Sequence, residues 1–301
     1  MLENNATDSW GLKSVKSILL PVERYPEIGS TIETAVQLAR AFESYVEGFA
    51  LIADPPVLVS ADAFSGAMIT AGAAFAAPAE ENAACRHLFE AGMTAAGLPR
   101  HEDGAGGAGG APGPSFGWQE GDTLTGHAFL GTYGRVFDVT VVGRPSSSAD
   151  SLRMGALEVA LFESGRPVLI APPAATASLG ETIAIAWNGT PEVARSVAFA
   201  SALLRRARHV DIVTLAGGRD PQPSGELLGR HLRMNGISCA VHHAEGDSES
   251  RGAVFLAEAA RLGSDLMIKG AYTQSRLRQI IFGGATRHIV TEATLPVFMA
   301  H

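Results

Sequence analysis

Cysteine is scarce: Cys85 and Cys239 are the only two in 301 residues and lie far apart. Such a pair builds neither a disulfide framework nor a metal-ligand spacing, and it suits a reducing compartment. Basic charge is also short. Lys and Arg number 23 against 31 Asp and Glu, a net charge of −8. That balance excludes a nucleic-acid binder relying on overall attraction to phosphate, so no nucleic-acid partner is expected. Long apolar runs are missing too. The main uncharged stretch, Ala63–Ala79, is built from alanine with Gly66, Gly72 and Pro78, and falls short of the roughly 20 residues a membrane span needs. It reads as a mobile or helical insertion, with no membrane partner. The opening "MLENNATDSWGLKSVKS" has no apolar core of the signal-peptide kind, so a cytoplasmic location is the expectation. Catalytic signatures are lacking as well: there is no Ser-His-Asp arrangement, no nucleophile elbow and no Gly-Lys-Ser/Thr phosphate loop. Any ATP hydrolysis is therefore expected to be slow and to depend on bound Mg²⁺.

What is present is a hydrophobic fraction of 46%, enough for the cores of two domains of ordinary size, and a plan that occurs twice. Near the start, "VKSILLPVERYPEIGSTIETAVQLARAFESYVEGFAL" reads strand, turn, helix, strand. Ser30 and Glu33 stand at capping-box spacing, and Ile32, Val36, Ala39 and Phe42 form a helical stripe. Later, "ETIAIAWNGTPEVARSVAFASALLRRARHVDIVTLA" repeats the plan, with Thr190 as N-cap, Pro191 at the first helical position, and Val193, Val197 and Leu204 on one face. A second pair of segments matches in order. Glu-Gly-Asp at 120–122 and at 245–247 is followed by a helix, an aspartate and an apolar strand ending on Gly143 or Gly270. Both halves close on a proline-led strand, Pro167–Ala171 and Pro296–Ala300. Strands alternating with helices imply a parallel sheet covered on both faces. The fold class read from this pattern is α/β, in two tandem domains, each with a mostly parallel sheet. The domains are placed at residues 1–173 and 180–301, joined by the linker "APPAATASLG". Glu102–Gly117 reads as a flexible loop.

These features resemble a tandem universal stress protein, from Val15 to His301 apart from Ala63–Ala79 and Gly104–Gly117. The family's nucleotide signature is Gly, two residues, Gly, nine residues, Gly, then Ser or Thr. This chain offers Gly270, two residues, Thr273, nine residues, Gly283, then Gly284: the spacing is intact and two of the four residues differ. The family also places an aspartate after its first strand to meet a ribose; here the turn is "WNGT", with Asn188 in the aspartate's position and Gly189 beside it. The resemblance implies two tandem doubly wound, Rossmann-like domains, each with a five-stranded, mostly parallel sheet. It further implies a stress-response protein of regulatory or protective kind with at most one adenine-nucleotide site, for ATP or AMP with Mg²⁺, in the second half. It also implies association through the last strand of each domain. Within one chain that makes a pseudo-dimer, with a homodimer and an unknown protein partner left open.

Read residue by residue, Gly283, Gly284 and Thr286 can offer backbone N–H groups and a hydroxyl to a phosphate at a helix start, or form only a glycine turn with an N-cap. Asn188 keeps an acceptor for a ribose hydroxyl or shapes a turn before Gly189. Arg276 and Arg278 face phosphates or solvate a helix. Lys269 is the one lysine near the loop and is expected at the strand's rim; a nucleotide-dependent hydrolase or ligase would need it. His242 and His243, adjacent on an expected strand, would point to opposite faces and share no metal ion. In the first half, Glu23 and Arg24 replace the Asp-Gly turn, Pro145 lacks an N–H, and the counterpart of Thr286 is Val159 or, with one residue deleted, Glu158. That half reads as a structural copy.

Overall fold

The computed structural model describes residues 14–52, 71–101, 113–120, 126–145, 151–216, 223–246, 251–271 and 284–301. The first half runs β1 (Ser17–Val22), α1 (Ile28–Phe42), β2 (Tyr45–Ala50), α2 (Ala71–Ala95), β3 (Ser115–Trp118), α3 (His127–Tyr133), β4 (Val139–Gly143), α4 (Ser151–Glu163) and β5 (Val168–Ala171). The second runs β6 (Thr182–Ala186), α5 (Pro191–Phe199), α6 (Ser201–Arg206), β7 (His209–Ala216), α7 (Gly225–Met234), β8 (Ala240–Glu245), α8 (Arg251–Arg261), β9 (Leu266–Gly270), α9 (Gly284–Glu292) and β10 (Val297–Ala300). No described helix is long and apolar enough to cross a membrane.

The strands form one sheet in the order β3-β2-β1-β4-β5-β10-β9-β6-β7-β8. Each half therefore contributes five parallel strands, and the chain reverses direction across the sheet between β1 and β4 and again between β6 and β9. The two five-stranded sheets expected from the sequence are continuous. Their final strands pair antiparallel, Val297 opposite Ile170, Phe298 opposite Leu169 and Met299 opposite Val168. This pairing removes two apolar sheet edges that would otherwise invite aggregation. Further bonds cross the seam or bind the linker. Arg144 donates to the carbonyl of Ala293 beyond α9 at 3.1 Å, while Ser30 and Gln37 on α1 donate to the carbonyls of Pro172 and Thr176.

Local sequence explains most elements and misplaces a few. Ile32, Val36, Ala39 and Phe42 are buried as their spacing predicts. The capping box is not used: α1 starts earlier, at Ile28, and Ser30 is recruited to the linker instead. Thr190 does precede Pro191 at the start of α5, in extended conformation. The stretch expected as loop to Gly117 ends in β3, because Ser115–Trp118 pair with Tyr45–Gly48. Gly117 is needed there, since a Cβ would meet the Tyr45 hydroxyl oxygen at 2.2 Å. Asp138 and Asp265, equivalent residues before β4 and β9, peg their halves together. Asp138 accepts from the backbone N–H groups of Lys16 and Ser17, and Asp265 from those of Glu181 and Thr182.

Phe298 is 2% exposed at the middle of the seam. Phe298→Ala is expected to cost about 3–5 kcal/mol through lost burial and the cavity left behind. A urea midpoint showing less than about 1 kcal/mol would contradict a buried seam.

Candidate functional site at the carboxyl edge of the second half

Ligands of doubly wound sheets sit beyond the carboxyl ends of strands where the strand order reverses. In the second half that point lies between β6 and β9, whose register sets Ala186 beside Lys269. The turn after β6 and Gly270 therefore share one edge with the start of α9. Thr273, Arg276, Arg278 and Gly283 lie outside the described residues. Asn188, Gly189, Gly270, Gly284 and Thr286 are brought to that edge, and each has a definite local role.

Gly270 is dictated by helix packing: a Cβ there would stand 2.4 Å from the backbone nitrogen of Val193, so α5 can approach β9 only over a glycine. Gly189 has φ of 72°, the left-handed region that glycine occupies without strain. Asn188 is exposed, and its Oδ1 accepts from the Thr190 N–H at 3.3 Å and from Thr190 Oγ1 at 3.0 Å. The side chain closes its own turn, the asparagine-turn role. Gly284 is exposed at the start of α9, with nothing among the described residues within 4 Å of where a Cβ would lie. Thr286, on the first turn, is 7% exposed.

Lys269 departs from expectation. It is not at the rim: it is 7% exposed, with Nζ donating to Thr286 Oγ1 at 2.8 Å and to the Gly270 carbonyl at 3.1 Å. Its neighbour of the same parity, Met267, lies in the core under α8 and α9, so the strand alternation turns Lys269 toward the start of α9. Burial lowers its pKa to about 8, because low dielectric disfavours the charged amine. Strand parity sets Lys269 on the face of Met267, but its burial against Thr286 follows only from the packing of α9.

The corresponding edge of the first half is filled by its own side chains. Glu23, at the place of Asn188, is buried, and burial raises its carboxyl to about 7 against the opposing pull of Arg153. Arg153, from the first turn of α4, lies 3.7 Å from Glu23 and 4.0 Å above the Tyr25 ring. Tyr25 in turn shares a 2.5 Å hydrogen bond with Thr31. Gly143, the counterpart of Gly270, makes room for it, since a Cβ would stand 2.0 Å from the Tyr25 oxygen. The strand registers also correct the helix alignment. Val168 and Val297 are equivalent, and the buried faces of α4 and α9 then make Leu157, not Val159 or Glu158, the counterpart of Thr286. Glu158 interacts with His127 and corresponds to the exposed Arg287. The obstacle to a ligand here is thus the Tyr25–Arg153–Glu23 packing.

His242 and His243 are held apart on β8. His242 Nε2 contacts Asp211 Oδ1 at 2.7 Å, and His243 Nε2 contacts Glu226 Oε1 at 2.8 Å. Among the described residues no group of three or more His, Cys, Asp or Glu is placed to hold a metal.

Two predictions test this description. Gly143→Ala should destabilise by about 1–3 kcal/mol through overpacking, and Tyr25→Ala should relieve most of that loss in the double variant. Additive losses in urea unfolding would show that the two positions do not touch. For Lys269, the unfolded amine titrates near 10.5 and the folded one near 8. Between those values the unfolded chain binds the extra proton, so stability rises with pH across that window, and the full burial penalty persists below about 8. Lys269→Met should be more stable than the parent at pH 7 and should flatten the rise from pH 8 to 10; unfolding curves that keep the parent's slope would refute the burial of this amine.

No family's sequence profile matches this chain, and neither does the sequence of any curated protein. Solved structures do match in shape. A universal stress protein from Archaeoglobus fulgidus DSM 4304 superposes with a TM-score of 0.69 at 14% identity, over 95% of this chain and 96% of that one. A putative universal stress protein from Pseudomonas aeruginosa UCBPP-PA14 gives 0.53 at 13% identity, over 95% and 93%. A functionally unknown protein from Pseudomonas aeruginosa PAO1 gives 0.52 at 14% identity, over 95% and 92%. With its strand order repeated on either side of one antiparallel seam, the chain has the universal stress protein fold in tandem.

Proposed function

We propose that the protein is a stress-response protein of regulatory or protective kind, carrying one adenine-nucleotide site at the carboxyl edge of its second half. The stress role is carried over from the names of the structures that share its fold. The observation that supports a single site is the contrast between the two edges. At the first, Tyr25 and Arg153 occupy the space in front of Gly143. At the second, the exposed Gly284 opens α9 with no described atom over it. A helix start of this kind presents unpaired N–H groups and a positive dipole end to an anion. ATP or AMP, with Mg²⁺ for the former, is the ligand class on this reading. On this reading the protein acts by binding.

A second reading is a ligand-free interaction protein. It is favoured by the way Lys269 satisfies Thr286, and Thr190 satisfies Asn188, without any ligand.

Denaturing freshly purified protein and identifying what is released separates the two. The expected outcome is an adenine nucleotide at one per chain, matched by calorimetry on the emptied protein with Mg²⁺ present. Gly284→Val should weaken binding by about tenfold or more by covering the helix start, while Glu158→Gln should leave it unchanged. Two equivalent nucleotides per chain would refute the assignment of one edge, and no binding at all would favour the interaction reading.

A further inference from the structure

Lys269 is one of only three lysines in the chain, with Lys13 and Lys16, and it is buried. A buried ammonium is costly unless an opposite charge accompanies it. Among the described residues Lys269 forms no ion pair, and desolvation is the sole cause of its displaced titration. Two of its three N–H protons go to neutral oxygens, the Gly270 carbonyl and Thr286 Oγ1. The third has no acceptor among the described residues.

The surroundings make the imbalance larger. Thr286 lies on the first turn of α9, where the helix carries partial positive charge on its unpaired N–H groups. A cationic side chain is favoured at the opposite end of a helix. Here the amine is held at the positive end, so two positive features converge at one place with no anion from the described chain. A methionine or leucine would fill the same volume without this cost. Beside this point Gly284 is exposed.

We propose that Lys269 is the cationic ligand of a phosphoryl group bound against the first turn of α9, in front of Gly284. The amine supplies charge and one N–H bond, the helix start supplies backbone N–H groups, and Thr286 orients the amine through its hydroxyl oxygen. Bonds between an ammonium and a phosphate oxygen join two opposite charges, and are therefore stronger than the bonds to neutral oxygens that Lys269 makes in the absence of a ligand. The inference rests on the edge proposed above as the binding site, but it concerns the phosphoryl group and not the adenine.

The test uses the full chain and its Lys269→Met variant, which fits the same space. Both are titrated at pH 7 with inorganic phosphate and, separately, with adenosine monophosphate, by calorimetry and thermal unfolding. Each protein is compared with its own ligand-free baseline, because phosphate at high concentration stabilises proteins in general. The expected result is that phosphate binds the parent and raises its unfolding temperature, whereas the variant binds about tenfold or more weakly. Equal responses of parent and variant to phosphate, or no saturable response in the parent, would overturn the proposal. Adenosine monophosphate bound equally by both would overturn it too, while leaving the nucleotide site standing. Phosphate binding lost in the variant, with no adenosine monophosphate binding in either, would support the Lys269 assignment and remove the adenine reading.

Discussion

The antiparallel pairing of β5 with β10 is the constraint on which the rest of the molecule depends. Without it each half would end in an open edge built from Val168–Ala171 or Val297–Ala300, all buried in the sheet. Backbone hydrogen bonds across that seam join two parallel sheets into one of ten strands. They also fix the carboxyl edges of the halves relative to the linker, which α1 holds through Ser30 and Gln37. Arg144 strengthens the junction by meeting a carbonyl at the end of α9, where the negative end of a helix favours a cation.

Within that shared frame the two halves have diverged at equivalent places. Asp138 and Asp265 do the same work, tying the start of the first strand to the start of the fourth. Gly143 and Gly270 both admit close neighbours, but the neighbour is the Tyr25 side chain in one half and the α5 backbone in the other. The first half spends its carboxyl edge on an aromatic ring, a guanidinium and a buried carboxyl. The second leaves its helix start accessible and turns a lysine toward it. Such divergence is what a tandem arrangement permits, since both copies hold the frame while their carboxyl edges differ.

Much of the architecture was legible in the chain. The duplicated plan of strand, helix and strand, the Pro-led final strands and the stripe Ile32, Val36, Ala39 and Phe42 are local patterns, and each follows from burial of one helix face or both sheet faces. The start of α5 at Thr190 and Pro191 was also readable, because both act through their own backbone. The use of Ser30 was not, because its partner, Pro172, lies in a linker more than a hundred residues away. The strand at Ser115–Trp118 was hidden by its glycine-rich approach in the sequence, because it is set by pairing with the distant segment Tyr45–Gly48.

At the candidate site the division is similar. By itself, the amino-acid sequence determined the fold class, the tandem duplication and the glycine-bounded segment following β9, because periodicity, turn residues and spacing are properties of neighbours along a chain. Tertiary structure decided what those residues face. Asn188 bonded to its own turn, Leu157 and not Glu158 became the counterpart of Thr286, and Tyr25 with Arg153 closed the first edge. It also placed Lys269 inside the protein, against the start of α9. These outcomes depend on strand register and on the space between packed helices, which are set by contacts between distant segments.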